Sequence, residues 1–237
     1  MPLYKYLIFD VDDTLLDFHS AFETAQINIA EKLGIEPSKE YLETDEKSAW
    51  KAWEESGLDR TEEKDVQKSY HIYYYQFLRK RFEHLSEAYG MDFDVQELVD
   101  CYLQSISSSK VTKESDTLSV YMNLSKRYKL VLATNGIERV QKERLSDFLP
   151  YTHSLYISEK IGFIKPARDF YNYVISDLKC RSEECLMIGD SISNDMVGAK
   201  AIGMDVCYYN AKGKRKPENI FIDYEIKSIL DLAQILF

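Results

Sequence analysis

Positive charge is scarce in this chain: 30 Lys and Arg stand against 40 Asp and Glu, a formal net charge of -10 over 237 residues. Binding to polyanions draws on clustered cations, so neither a nucleic acid polymer nor an anionic membrane is expected as a main partner. The run Lys212-Gly213-Lys214-Arg215-Lys216 is the local exception and reads as a solvated loop. Cysteine is sparse too. Cys101, Cys180, Cys185 and Cys207 show no CxxC spacing and no partnering His cluster, which argues against structural zinc. Cys101, Cys185 and Cys207 sit in apolar surroundings and Cys180 nearer the surface, a pattern that fits a reducing cytoplasm. Long apolar runs are missing as well. The N-terminal run carries Lys5 and ends at Asp10, so it reads as neither a signal peptide nor a membrane span. No internal repeat or low-complexity segment stands out.

Glycine and proline are nearly absent between residues 18 and 108, where Pro37, Gly57 and Gly90 provide punctuation. No strand-like run occurs there. Apolar and aromatic residues recur at helical spacing, as in Tyr70, Tyr74, Phe77, Leu78 and Phe82. The expected helices are Ala21–Leu33, Lys39–Ser56, a long one from Thr61 to about Ala88, and Val95–Ser105. Outside this block the texture differs. Residues 3–9 read as one buried strand. From about residue 116 helices and strands alternate: helix Thr117–Arg127, strand Leu130–Thr134, helix Arg139–Phe148, strand Ser154–Ile157, helix Asp169–Asp177, strand Cys185–Ile188, helix Asp195–Ile202, strand Val206–Tyr209 and a closing helix Ile226–Leu236. That alternation predicts an α/β, Rossmann-like, doubly wound parallel sheet, with an all-helical domain inserted after its first strand. The expected division is a core of residues 1–17 plus 109–237 and a helical cap of residues 18–108. A hydrophobic content of 45% gives ample core for both.

Ligands of open parallel sheets bind at the carboxyl ends of the strands, so the residues that follow each strand matter most. The first strand ends in Asp10-Val11-Asp12-Asp13, which crowds carboxylates against a buried run. With Val11 between them, Asp10 and Asp12 point to one side of an extended chain. Their repulsion calls for a cation, and a hard divalent ion with oxygen ligands supplies it. The next strand ends in Thr134-Asn135-Gly136, a hydroxyl and an amide beside flexible backbone, suited to phosphate oxygens. Then comes Gly162-Phe163-Ile164-Lys165-Pro166, in which Pro166 restricts Lys165 and holds its cation in place. Last comes Gly189-Asp190-Ser191, with Asn194 and Asp195 opening a helix. Each has a plainer explanation: an acidic turn, a cap, an exposed Lys, a helix-terminal charge. Together they describe a phosphoryl-transfer site.

In these four segments, taken in order, the chain resembles the haloacid dehalogenase superfamily of aspartate-nucleophile phosphatases. Many relatives have Gly where Asp13 stands. The resemblance extends over the whole chain, and the helical insertion is similar to the family's C1-type cap. Dehalogenase members lack the second carboxylate of the first signature, so Asp12 favours phosphate chemistry. The stretches from Asp12 to Phe18 and Gly162 to Tyr173, with Trp50 in the cap, look most like the pyrimidine 5′-nucleotidase branch. The resemblance implies that Asp10 is the nucleophile, forming an aspartyl-phosphate, and that Asp12 is the general acid and then base. It implies Mg²⁺ held by Asp10, the Asp12 carbonyl and Asp190, with Asp195 as a ligand or as the group that orients Lys165. Lys165, Thr134 and Asn135 are implied to hold the phosphate, and Trp50 to stack on a base. Phe18 and His19 are expected near the substrate. The implied partner is a small phosphorylated metabolite, such as a nucleoside monophosphate, bound by a monomer or small homo-oligomer. A phosphatase of sugar phosphates or phosphoglycolate is the alternative, ahead of a phosphomutase or a non-catalytic phosphate binder.

Overall fold

The structure, a computed structural model, describes residues 4–58, 60, 63–217 and 220–236. Its centre is a six-stranded sheet of β1 (Tyr6–Phe9), β2 (Lys129–Thr134), β3 (Ser154–Ile157), β4 (Cys185–Gly189), β5 (Asp205–Tyr209) and β6 (Tyr224–Ile226), in the order β3-β2-β1-β4-β5-β6. Every pairing is parallel. The chain winds outward in both directions from β1, which places a topological switch point beside it.

Parallel strands are covered on both faces, so they read as continuous apolar runs. All four residues of β1 are buried. Because side chains alternate, Leu7 and Phe9 join one core layer with Leu132 and Ile188. Tyr6 and Ile8 join the opposite layer with Val131, Met187 and Phe170.

Among the described residues of 18–108 lie five helices: α1 (Phe18–Leu33), α2 (Lys39–Ser56), α3 (Lys64–Lys68), α4 (Tyr70–Tyr89) and α5 (Val95–Ser108). Asp17 caps α1 through its side chain and Gly34 closes that helix in the left-handed conformation. The expected long helix is in fact two, α3 and α4, separated at Ser69; Thr61, where it was expected to start, lies outside the described residues. These helices bury a third core of Ala25, Ile29, Tyr41, Phe82 and Tyr102. Ile137 and Val140 belong to the same cluster, so the helical block packs directly on the helix after β2. Within it lies a fully buried ion pair. Asp45 accepts from Arg81 Nε at 2.9 Å and Nη2 at 2.5 Å, and from Gln26 at 2.8 Å. The guanidinium stands 4.9 Å from the ring centres of both Phe22 and Tyr102.

The remaining helices are α6 (Thr117–Leu124), α7 (Glu138–Arg144), α8 (Ser158–Ile161), α9 (Arg168–Leu178), α10 (Val197–Lys200) and α11 (Leu232–Leu236). The end of the chain departs from expectation. Tyr224–Ile226 pairs with β5 as an edge strand, and only Leu232–Leu236 of the closing segment is α-helical. The expected helix Asp195–Ile202 is instead a π-helical turn, Ile192–Met196, running into α10. Among the described residues no helix is long and apolar enough to cross a membrane.

The chain leaves for the helical block and returns from it side by side. Asp17 N donates to the Val111 carbonyl at 2.8 Å and Lys113 N to that of Leu15 at 2.9 Å. Removing one partner of a buried ion pair leaves the other charge uncompensated, at about 3–5 kcal/mol. Asp45→Ala should therefore lower the unfolding free energy in urea by that amount, whereas a loss below about 1 kcal/mol would show that the pair does not hold the block together.

Candidate active site

Asp10 follows β1, Thr134 ends β2, and Asp190 follows β4, so three side chains converge at the carboxyl edge beside the switch point. Lys165 comes from the segment between α8 and α9, and Asp195 from the π-helical turn. Side-chain oxygens of Asp10, Asp190 and Asp195 lie within 4.8 Å of one another. Lys165 Nζ joins two of them, at 2.5 Å from Asp10 Oδ1 and 2.7 Å from Asp195 Oδ1. All three members of that bridge are buried.

Each of these groups is held by its neighbours. The Asn135 amide clamps the Lys165 backbone: its Nδ2 donates to the Lys165 carbonyl at 2.9 Å, and its Oδ1 accepts from Lys165 N at 2.8 Å. Thr14 donates to Asp10 Oδ2 at 3.3 Å and accepts from the Asp190 N–H at 3.0 Å, which ties the ends of β1 and β4 together. Asp195 Oδ2 accepts from Ser191 N at 3.1 Å. A Cβ on Gly189 would collide with the Asp195 carboxylate, and one on Gly198 with Tyr171 and the Pro166 carbonyl. Both glycines are thus required by close approach at the site.

The electrostatics show a deficit of positive charge. Burial pushes the Asp10 carboxyl well above its ordinary range; Lys165 opposes this, while Asp195, Asp190 and Asp12 add to it. Burial also works against the Lys165 charge, but Asp10 and Asp195 outweigh it and raise the ammonium pKa, so Lys165 stays protonated. Asp190 is pushed up to about 6, chiefly by burial and then by Asp195 and Asp13. One ammonium faces three carboxylates, and the free donors are all oxygen. That set suits a hard divalent cation such as Mg²⁺, for which Asp10, Asp190 and Asp195 could provide ligands.

The Asp12 side chain stands apart from this cluster. Its Oδ1 pairs with Arg144 Nη1, and its Oδ2 accepts from Gln141 Nε2 at 2.8 Å. The same Gln141 nitrogen donates to Thr134 Oγ1 at 2.9 Å. Asp12 also lines a cavity of about 130 Å³ with Phe18, Tyr70, Tyr74, Asn135 and Arg144. Tyr70 and Tyr74 stack there, with ring centres 6.0 Å apart. Burial, then the Asp12 charge, push the Tyr70 hydroxyl up to about 12, so it remains a hydrogen-bond donor at neutral pH.

The structure therefore brings together Asp10, Thr134, Asn135, Lys165, Asp190 and Asp195, with Asp12 and Phe18 on the adjoining cavity. It does not bring Trp50 to them. Trp50 is 64% exposed and lines a separate groove with Phe22, Trp53 and Phe77. His19 lies on that groove too, and pairs with Glu23 at 3.2 Å. Sequence reasoning missed Gln141 and Arg144. The available signal was two polar residues one turn apart on a helix that has to pack. Asp13 adopts φ +60°, a left-handed conformation that glycine takes most easily. Here its carboxylate meets Lys113 at 2.7 Å, on the returning chain. The basic run near the C-terminus is exposed throughout, as expected, and Lys212 and Lys214 line a cavity of about 90 Å³ with Asp13 and Asp190.

Carboxylates, a hydroxyl and a lysine gathered where the strand order reverses define an α/β enzyme that works at its strand ends. The sequence model of the haloacid dehalogenase-like hydrolases matches residues 4–203, and the chain belongs to that family. It is 30% identical to YfnB of Bacillus subtilis (strain 168), named a HAD-hydrolase, with all of this chain and 97% of that protein covered. It is 29% identical to the pyrimidine 5′-nucleotidase PynA of Streptococcus pneumoniae, over 98% of this chain and 95% of that one. A crystal structure of B. subtilis YfnB bound to magnesium superimposes with a TM-score of 0.83 at 27% identity, covering 98% of both chains. The crowding at Gly189 yields a prediction. Gly189→Ala should displace Asp195 and shrink the rise in melting temperature produced by Mg²⁺ in differential scanning calorimetry. A rise equal to that of the unaltered protein would place the cation away from this cluster.

Proposed function

We propose that this hydrolase is an Mg²⁺-dependent phosphomonoesterase that acts through an aspartyl-phosphate, with nucleoside 5′-monophosphates, and pyrimidine ones in particular, as substrates. The observation that carries the chemistry is the shared lysine. Asp10 is held by Lys165 inside a carboxylate cluster, while a second carboxylate, Asp12, stands outside it facing a cavity. A nucleophile beside the cation site and an acid beside the leaving group is the division of labour that phosphate ester hydrolysis needs. In the first step an Asp10 oxygen bonds to phosphorus, the ester P–O bond breaks, and Asp12 gives its proton to the departing alkoxide. In the second, Asp12 removes a proton from water as that water bonds to phosphorus and the Asp10–phosphorus bond breaks. Lys165 and the Thr134 hydroxyl steady the non-bridging oxygens. Asn135 acts by fixing the Lys165 backbone. Mg²⁺ bound by Asp10 and Asp190, with Asp195 beside them, would offset the repulsion between carboxylate and phosphate. YfnB, with its bound magnesium, supports this assignment.

For the substrate, support comes from the likeness to PynA and from the cavity beside Asp12. Its walls are aromatic and aliphatic with a few polar groups, which suits a planar base better than a polyhydroxylated sugar. Tyr70 and Tyr74 take the stacking place that the sequence suggested for Trp50. Residues 18–108 act in this reading as a cap over residues 1–17 and 109–237, in a cytoplasmic enzyme.

Phosphate release from UMP, dUMP, dTMP, AMP, phosphoglycolate and hexose phosphates tests the reading. Pyrimidine nucleotides should be preferred, activity should vanish with EDTA, and Asp10→Asn should abolish turnover. Asp12→Ala and Lys165→Ala should each cost at least about 10²-fold in kcat. Full activity in Asp10→Asn would sink the mechanism, and a preference for sugar phosphates would discard the nucleotide assignment alone. Tyr70→Ala should erode discrimination between nucleotides and sugar phosphates while Trp50→Ala preserves it; the reverse result would move the base site to the outer groove.

A further inference from the structure

Both carboxylate oxygens of Asp12 are engaged by one short helix. Arg144 Nη1 binds Oδ1, Gln141 Nε2 binds Oδ2, and the two donors are joined by a bond of 3.3 Å from Arg144 Nη1 to Gln141 Oε1. The arginine is 1% exposed. Its Nε reaches the Ser109 carbonyl at 3.4 Å, and its guanidinium lies 5.6 Å from the Phe18 ring centre. Its Nη2 is buried without a hydrogen-bond partner. A buried cation with an orphaned donor is a poor way to gain stability, since apolar side chains of similar volume would serve as well or better. What Arg144 and Gln141 do provide is geometry. A carboxylate has about four lone-pair positions. With one on each oxygen occupied, the positions left to carry or accept a proton are fixed relative to the cavity.

We propose that Arg144 and Gln141 are positioning residues for the acid–base carboxylate, aiming Asp12 at the leaving-group oxygen and keeping it out of the Asp10–Asp190–Asp195 cluster. The inference rests on the phosphatase reading above. In the first step Asp12 loses its proton to the leaving oxygen as the P–O bond breaks, and in the second it regains one from water; Arg144 and Gln141 keep their own protons throughout. The arginine also touches both crossings of the chain, Phe18 at the start of α1 and Ser109 just past α5, so the aim of the acid is tied to the seating of the helical block. Gln141 adds a link to Thr134, so the acid and a phosphate-holding hydroxyl share one support.

Leaving-group dependence tests this. Uridine departs from UMP as an alkoxide and needs the proton, whereas p-nitrophenyl phosphate releases a stabilised phenolate that scarcely does. In the first turnover, where release of the leaving group reports the acid step alone, Arg144→Met should slow by about 10²-fold or more on UMP, the scale of general acid catalysis, and by less than about 10-fold on p-nitrophenyl phosphate; later turnovers share the Asp12-assisted hydrolysis of the aspartyl-phosphate and should slow on both. KM for both should change little. Arg144→Lys, which restores one donor and the charge, should recover part of the loss. The double variant with Asp12→Ala should be no slower on UMP than Asp12→Ala alone, because the two residues act as a unit. Thermal unfolding checks that Arg144→Met folds; should it not, Gln141→Met, which removes only neutral bonds, carries the same comparison. Equal slowing of the first turnover on both substrates, or additive losses in the double variant, would overturn the proposal and leave the phosphatase reading intact. Wild-type protein inactive on both esters would instead remove the phosphatase reading, and the proposal with it.

Discussion

One buried ammonium organises this molecule. Lys165 is shared between Asp10 and Asp195, and among the described residues it is the cation that bonds directly into the group of three carboxylates at the edge of the parallel sheet. Much of the local architecture serves that contact. Asn135 grips the lysine backbone from the end of β2, so that strand end and the segment between α8 and α9 are fixed together by one amide. Tyr171 donates to the carbonyl of Asn194 at 2.7 Å and steadies the turn that carries Asp195. Gly198 has no Cβ, which lets α10 approach the Pro166 carbonyl. The site is pre-assembled by the fold and still lacks positive charge, the condition in which a divalent cation and a phosphate can enter together.

The helical block is joined to that edge through the same few residues. Lys113, on the returning chain, bonds both Asp13 at 2.7 Å and Asp17 at 3.3 Å on the outgoing one. Asp13 lies three residues after Asp10 of the carboxylate cluster in sequence, and its left-handed backbone turns the chain there. On the other side of the crossing, Arg144 touches Phe18 and the Ser109 carbonyl while holding Asp12. Two cations, one on each side, thus bind the crossing chains to the loop after β1. Arg144 links the seating of the helices to Asp12, while Asp10 is held by Lys165 and Thr14.

Most of the sheet could be read directly from the residues. Strands buried on both faces are continuous apolar runs, and Lys129–Thr134, Cys185–Gly189 and Asp205–Tyr209 emerge from that rule within about a residue of their ends; Ser154–Ile157, at the sheet edge, has the expected bounds. The sixth strand was hidden because Tyr224-Glu225-Ile226 is short, lies at an edge and carries a charge in the middle, so it merged with the apolar spacing of the closing segment. The break at Ser69 was hidden because aromatic spacing continues across it. For the site, topology did the work: Asp10, Thr134, Asn135, Lys165, Asp190 and Asp195 all follow strands whose ends must converge. Gln141, Arg144, Tyr70 and Tyr74 lie on helices, and which face of a helix meets the site depends on packing that spacing alone does not specify. Trp50 shows the same limit from the other side, since its place on α2 turns it to an outer groove.

The central claim is that Asp10 becomes covalently phosphorylated during turnover. Acid quenching of the protein during hydrolysis of UMP with Mg²⁺, followed by peptide mass spectrometry, tests it most directly. The account predicts one phosphoryl group on the peptide that contains Asp10, absent when Asp10 is replaced by Asn. Rapid turnover with no phosphorylated peptide, or with the phosphoryl group on another residue, would contradict it.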